Sequence, residues 1–133
     1  MNARDVLGIV VGVGSGMLCV DGGFALYGLH AAQHLSDAGE QFPWISEARL
    51  LFAAIFVEGL FGVAGLVLCI GLVKARTWAA AALPWATGGL AVLATSVLVA
   101  MPNTWHHQVP IILVSVFILI FQRHAQRKVV SAT

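Results

Sequence analysis

Four long apolar runs decide what this chain can become: Val6 to His30, Leu50 to Val73, Trp78 to Met101 and Val109 to Phe121. A helix rises ~1.5 Å per residue and the hydrocarbon core of a bilayer is ~30 Å thick, so roughly 20 residues suffice to cross it. The first three runs exceed that length. The fourth reaches it when Thr104 caps the helix and Trp105 opens it, with Pro110 near the first turns, where its missing N–H does least harm. In hydrocarbon every backbone N–H and C=O must be satisfied within its own segment, which leaves only helices for runs this long. The sequence therefore predicts an all-α fold, an integral membrane bundle of four transmembrane helices over about 6–30, 48–73, 78–101 and 105–123, in a single domain. Composition agrees, because 59 % hydrophobic and 10 % charged residues cannot cover a soluble domain of 133 residues.

Charge placement sets the expected orientation. With the N-terminus inside, Arg4, Lys74, Arg76, Arg123, Arg127 and Lys128 gather on the cytoplasmic side, and only Arg49 lies opposite, beside Asp37, Glu40 and Glu47. By the positive-inside rule both termini are cytoplasmic and the protein belongs in the cell membrane. Trp44 and Trp105 then fall at the outer interface and Trp78 at the inner one, where amphipathic rings prefer to lie. A cleaved signal peptide is the rival reading of residues 1–30, but the run is longer than the apolar region of a signal and Asp21 interrupts it. A net charge of +1, without a nucleotide loop or zinc ribbon, points away from nucleic acid. The expected partners are the lipid bilayer and, within it, another membrane protein or a second copy of the chain.

Small residues mark the helix contacts. Gly8, Gly12, Gly16, Cys19 and Gly23 recur on the first helix at spacings of four and three, and Ala54, Glu58, Gly62, Gly65 and Cys69 form a matching stripe on the second. Such stripes let two helices approach closely. Carried on at ~100° per residue, the first stripe takes Tyr27, His30 and His34 into the bundle. Glu58 falls in the middle of the second stripe, buried in protein. Asp21 lies at similar depth, nearly opposite the first stripe but on a face shared with Gly14, Ala25 and Gly28. An ionisable acid inside the hydrocarbon region costs ~2.5–3.5 kcal/mol on insertion scales, so it faces the interior, finds a partner or stays protonated. On one reading these acids fix helix register by bonding Tyr27, Thr95, Ser115 or a carbonyl. On the other, Glu58, Asp21 and Tyr27 orient a ligand or handle a proton.

The stretch "FVEGLFGVAGLVLCIGLVKARTWAAAALP", Phe56 to Pro84, resembles the second helix and following loop of the DoxX-like membrane proteins. In that family a glutamate opens a glycine-rich apolar run that ends in a short basic turn. The matching positions are Glu58, Gly62, Gly65, Gly71, Arg76 and Ala79, and "GGFALYGLH", Gly22 to His30, is similar to the end of the family's first helix. Where that family often has a lysine, this chain has His30. The resemblance covers about half the chain and extends to its length and four-helix layout. It implies a small bacterial or archaeal membrane protein, some of whose relatives are subunits of quinone-linked sulfur or thiol redox systems.

Four of the five histidines, His30, His34, His106 and His107, lie at the predicted outer boundary. The i, i+4 spacing sets His30 beside His34, as a metal site requires, whereas His106 and His107 point ~100° apart, so at most one of them joins the pair. The candidate divalent-metal set is His30, His34 and His106, completed by Glu40 or water. A haem between His30 and His106 or His107 would be shallow and crowded by glycine-lined contacts. With no cofactor, the four are polar residues of the interface. Cys19 and Cys69 differ in depth by too much for a disulfide and read as packing residues, and neither a CxxC pair nor a serine, histidine and acid set marks a catalytic centre. Pro84, beside Trp85, is expected to bend the third helix. Two functions stay open. One is a non-catalytic or quinone- or small-molecule-interacting subunit of a membrane redox system, built on Glu58, Asp21 and Tyr27. The other is an extracytoplasmic metal-binding membrane protein built on His30 and His34.

Overall fold

The computed structural model describes residues 2–37 and 44–131. Four helices follow one another along the chain: α1 (Ala3–Asp37), α2 (Trp44–Val73), α3 (Thr77–Ala100) and α4 (Trp105–Ser131), with a short 3-10 turn, η1 (Pro102–Thr104), between the last two. All four are long and apolar enough to cross a membrane, and the described residues include no strand. The chain is an all-α, four-helix multi-pass membrane bundle. α1 continues to Asp37 and α4 to Ser131, past the ends of their apolar runs, because the polar flanks "AAQHLSD" and "HAQRKVVS" contain neither Gly nor Pro to stop a helix. Glu40 and the side chain of Trp44 lie outside the described residues.

Successive helices pair as antiparallel neighbours. α1 packs along the length of α2, α2 against α3 and α3 against α4, while α1 meets α4 over a short stretch only. One side of the four-sided bundle is thus loosely closed, and that side carries the site.

The α1–α2 seam is built from small residues, in a different phase from the expected stripe. Beside buried Leu7, the buried seam positions on α1 are Gly8, Val11, Ser15, Leu18, Gly22, Ala25 and Ala32, with Leu29 half-buried between the last two. These alternate spacings of three and four, the 3.5-residue repeat that keeps two supercoiled helices in contact. The stripe read from the sequence took the spacing of four too often, through Gly16, Gly23 and Tyr27, and so rotated off the seam. Around Gly16 and Gly23 no atom of a neighbouring element among the described residues stands within 4 Å of where a Cβ would be. The expected α2 stripe does face the seam, with Glu58, Gly62 and Gly65 buried.

Register along this seam is constant: Gly8 lies against Val73, Gly12 against Cys69 and Gly22 against Gly59, equal steps up one helix and down the other. Gly22 and Gly59 form the closest backbone approach, where a Cβ on Gly22 would stand 2.8 Å from the Gly59 Cα. Both cysteines are free, and their S–H groups reach backbone carbonyls across the seam, Cys69 to Gly8 at 3.1 Å and Cys19 to Gly59 at 3.9 Å. They serve as packing residues.

Two local devices hold the other helices. At the end of α2, Arg76 N–H donates to Gly71 O at 2.8 Å while Ala75 takes φ 53°, a helix-terminating turn in which Ala75 occupies the place usually given to glycine. Inside α3, Pro84 has no N–H to offer the carbonyl four residues earlier, that of Ala80. Gln122 of α4 fills this role: its Nε2 donates to Ala80 O at 2.7 Å. A carbonyl freed by proline in hydrocarbon needs such a partner. α4 opens at Trp105 as expected, although the Thr104 hydroxyl donates to Met101 O at 2.7 Å instead of capping the helix. Near the ends of the first two helices, Arg49 donates to Gln33, which in turn donates to Asp37.

Candidate functional site

The Gly22–Gly59 contact fixes where two acids stand. Asp21 and Glu58 each precede one of these glycines, so the closest approach of α1 and α2 brings both carboxylates to one level. From α4, His107 reaches toward both. Its Nε2 lies 3.0 Å from Glu58 Oε2, a hydrogen bond, and its Nδ1 lies 4.0 Å from Asp21 Oδ2. No backbone approach joins α2 to α4, so His107 spans the diagonal of the bundle. Glu58 is 0 % exposed, whereas the Asp21 side chain is 46 % exposed. The imidazole therefore links an enclosed carboxylate to an open one.

Burial explains the pairing. A carboxylate removed from water needs hydrogen bonds or a positive partner, and a bond to an ionised group is roughly twice as strong as a neutral one. His107 is that partner for Glu58 Oε2. Among the described residues Glu58 Oε1 has no hydrogen-bond partner, nor has either side-chain polar atom of Gln108, the fully buried residue next to His107. Several buried polar atoms are thus held at this end of the bundle without full satisfaction, which is costly unless they serve something.

A cavity of about 270 Å³ opens beneath the Asp21–His107 pair, in the loosely closed side between α1 and α4. Its walls are mainly apolar, with Met17, Leu18, Phe61, Leu83, Val114 and Ile118 among them. Polar groups border it at Ser15, Thr87 and Ser115, and Asp21, His106 and His107 line it at the η1 end. It extends along α1 from Asp21 back to Val10, a depth of ~16 Å at ~1.5 Å per residue. An apolar slot with a few polar groups converging at one end is the usual form of a site for a small lipid-soluble molecule.

Of the ligand-orienting residues expected from the sequence, Glu58 and Asp21 come together and Tyr27 does not. Tyr27 is 75 % exposed, for it sits ~200° round the helix from buried Ala25. The same phase correction turns His30 and His34 outward. Both are exposed, and their rings stack edge to face with centroids 4.6 Å apart. His106 is exposed as well, its ring edge-on to Trp105 at 6.1 Å, on a different helix from the other two. The set His30, His34 and His106 is not assembled, and among the described residues no group of three or more His, Cys, Asp or Glu side chains is placed to hold a metal ion. The side chain that joins the two acids is His107, to which the sequence reading gives no place beside them. The available signal was the polar stripe Gln108, Ser115 and Gln122, buried on one face of the apolar part of α4 and continued by Thr104 of η1, since polar residues in a membrane helix turn inward.

Comparison of the chain with known protein families, with curated proteins and with solved structures found no match.

Proposed function

We propose that the protein binds a lipid-soluble small molecule in the cavity between α1 and α4. The molecule enters from the bilayer, its apolar body lies along the walls, and its polar head meets Asp21 and His107 at the η1 end. The carrying observation is the position of that pair at the η1 end of a deep apolar slot. His107 Nε2 is committed to Glu58, which leaves Nδ1 for a ligand. The 4.0 Å gap from Nδ1 to Asp21 Oδ2 is too long for a hydrogen bond, yet a hydroxyl oxygen can stand ~2.8 Å from both. With a proton on Nδ1, such a head donates to Asp21 and accepts from the imidazole, as a quinol hydroxyl can. The DoxX-like resemblance supports the same class, and with it a role as the quinone-interacting subunit of a membrane redox system. The basic residues gathered at the opposite end of the bundle support placing the η1 end on the outer face of the cell membrane.

The test is binding to protein reconstituted in lipid nanodiscs, using a short-chain ubiquinol, its quinone and its dimethyl ether. The quinol should bind, and the ether, which cannot donate to Asp21, should bind at least tenfold more weakly. Gly14→Phe should abolish binding without unfolding the protein, because nothing stands within 4 Å of a Cβ at Gly14, on the cavity wall. Absence of binding by all three compounds, or undiminished binding to Gly14→Phe, would sink the proposal.

A further inference from the structure

The Asp21–His107 pair borders two cavities. The second, about 180 Å³, is lined by Asp21, Phe24 and Ala25 of α1, Phe52 and Ile55 of α2, and His107 of α4. All its other residues lie on the η1 side of the pair, just as the first cavity runs the opposite way along the bundle. Register shows how near that end it lies. Gly71 packs against Ala79 and Gly89 against Phe61, so α2 and α3 advance in equal steps, and Ala100 at the end of α3 falls level with Leu50. Phe52 and Ile55 therefore lie within ~8 Å of the end of α3 at ~1.5 Å per residue. The deep cavity runs toward the middle of the apolar spans; the second lies close to the end of α3.

We propose that the second cavity is the aqueous mouth of the site: water enters it from the η1 end and exchanges protons with Asp21 and His107, while the other face of the membrane has no such access. The inference rests on the same pair as the proposed ligand site and assigns it two approaches, the ligand from the bilayer and protons from the water at one end. At ~30 Å³ per molecule the volume admits several waters, and the Asp21 carboxylate with His107 Nδ1 offers them the two or more polar partners that a buried water needs. Glu58, 0 % exposed and absent from the walls of both cavities, reaches water only through His107. The titratable groups facing the pair are Glu58 from α2 and His106 from α4, and α3 has no charged or histidine side chain at all. Proton exchange by the buried acid then passes through one imidazole to one side of the membrane, so any change in ligand protonation on binding follows the pH of that side.

Single cysteines test this in sealed vesicles, in a chain carrying Cys19→Ala and Cys69→Ala. A charged methanethiosulfonate, which cannot cross the bilayer, should react with Ala25→Cys and Ile55→Cys when added from one face only. Gly14→Cys and Val114→Cys, on the deep cavity, should react only with a lipid-soluble maleimide. Lack of reaction at both 25 and 55, or reaction from both faces, overturns the inference. A second measurement needs no substitution: hydroxyl radicals generated in bulk water should oxidise Phe52 and spare Phe61 in the nanodisc-embedded chain, and equal labelling of the two, or none at Phe52, overturns it as well. Neither experiment uses a ligand. The aqueous mouth can therefore fail while the quinol binds, and can hold while the quinol does not.

Discussion

Two adjacent glycines should respond in opposite ways to the same substitution. An alanine Cβ at position 22 would stand 2.8 Å from the Gly59 Cα, whereas carbon atoms rest in contact at ~3.5–4.0 Å. The obstructing atom is backbone, so no rotamer change relieves the clash and the helices must part by ~1 Å. That movement also loosens the tight approach at Gly62, whose Cβ position lies 2.8 Å from Ser15 O. Overpacking of this kind costs ~1–3 kcal/mol. At position 23 nothing lies within 4 Å, and only helix propensity acts, favouring alanine by up to ~1 kcal/mol. Propensity contributes at both sites and cancels in the comparison, so Gly22→Ala should be ~1–3 kcal/mol less stable than Gly23→Ala. Reversible unfolding in mixed micelles, followed by circular dichroism, measures the difference. Because Asp21 and Glu58 adjoin this contact, Gly22→Ala should also weaken quinol binding while Gly23→Ala leaves it unchanged. Equal stability of the two variants would refute the seam and the argument that it levels the two acids.

Four other outcomes can be checked in the same unfolding assay. Gln122→Leu should cost ~1–3 kcal/mol by leaving the Ala80 carbonyl unpaired, and should cost much less in a Pro84→Ala chain, where the new N–H bonds that carbonyl; a double-mutant cycle without coupling would disprove the link. Ala75→Gly should stabilise the protein by ~0.5–1 kcal/mol, because it removes a Cβ from a left-handed conformation, and a loss of stability would contradict the turn geometry. Glu58→Leu should lose ~1–3 kcal/mol by stranding His107 Nε2, while Glu58→Gln keeps a partner there and stays within ~1 kcal/mol of the parent; the reverse order would remove the pairing. Chelation with EDTA should leave the melting temperature unchanged, since among the described residues no group of three ligating side chains is placed to hold a metal ion; a drop of several degrees would reopen the metal reading.

How much of the fold was legible follows from what a bilayer demands. Length and hydropathy alone forced four helices, since no other structure satisfies the backbone of such runs in hydrocarbon. Their ends were less legible, because helix α1 continues through "AAQHLSD" on propensity after hydropathy has fallen. The seam on α2 could be read because its acid and the glycines at 62 and 65 share one face, although Ala53 and Ala64 stand exposed off it and Gly59, in the closest approach, was not part of the expected stripe. On α1 the same reading failed, for glycines occupy both the seam, at Gly8, Gly12 and Gly22, and the open face, at Gly16 and Gly23. Choosing among them requires the ~3.5-residue supercoil repeat, whereas a stripe with too many spacings of four advances ~3.7 residues per turn, an excess that accumulates over the long helix. That drift carried Tyr27, His30 and His34 to the wrong side.

The error at the site has a related origin. His106 and His107 differ by ~100° of rotation, and choosing between them means knowing the phase of α4. In a soluble helix the apolar stripe supplies that phase, but α4 is apolar nearly all round, and its outer face meets lipid as its inner face meets protein. Only the polar residues discriminate. Thr104, Gln108, Ser115 and Gln122 share the buried face, which puts His107 one step from it and His106 two. The step decides whether an imidazole meets Glu58 at 3.0 Å or leans on Trp105. It follows that the polar side chains of such a helix, few as they are, fix its orientation better than its glycines do. A buried acid on a neighbouring helix should then be matched to whatever ionisable group lies beside that polar face, and for Glu58 that group is His107.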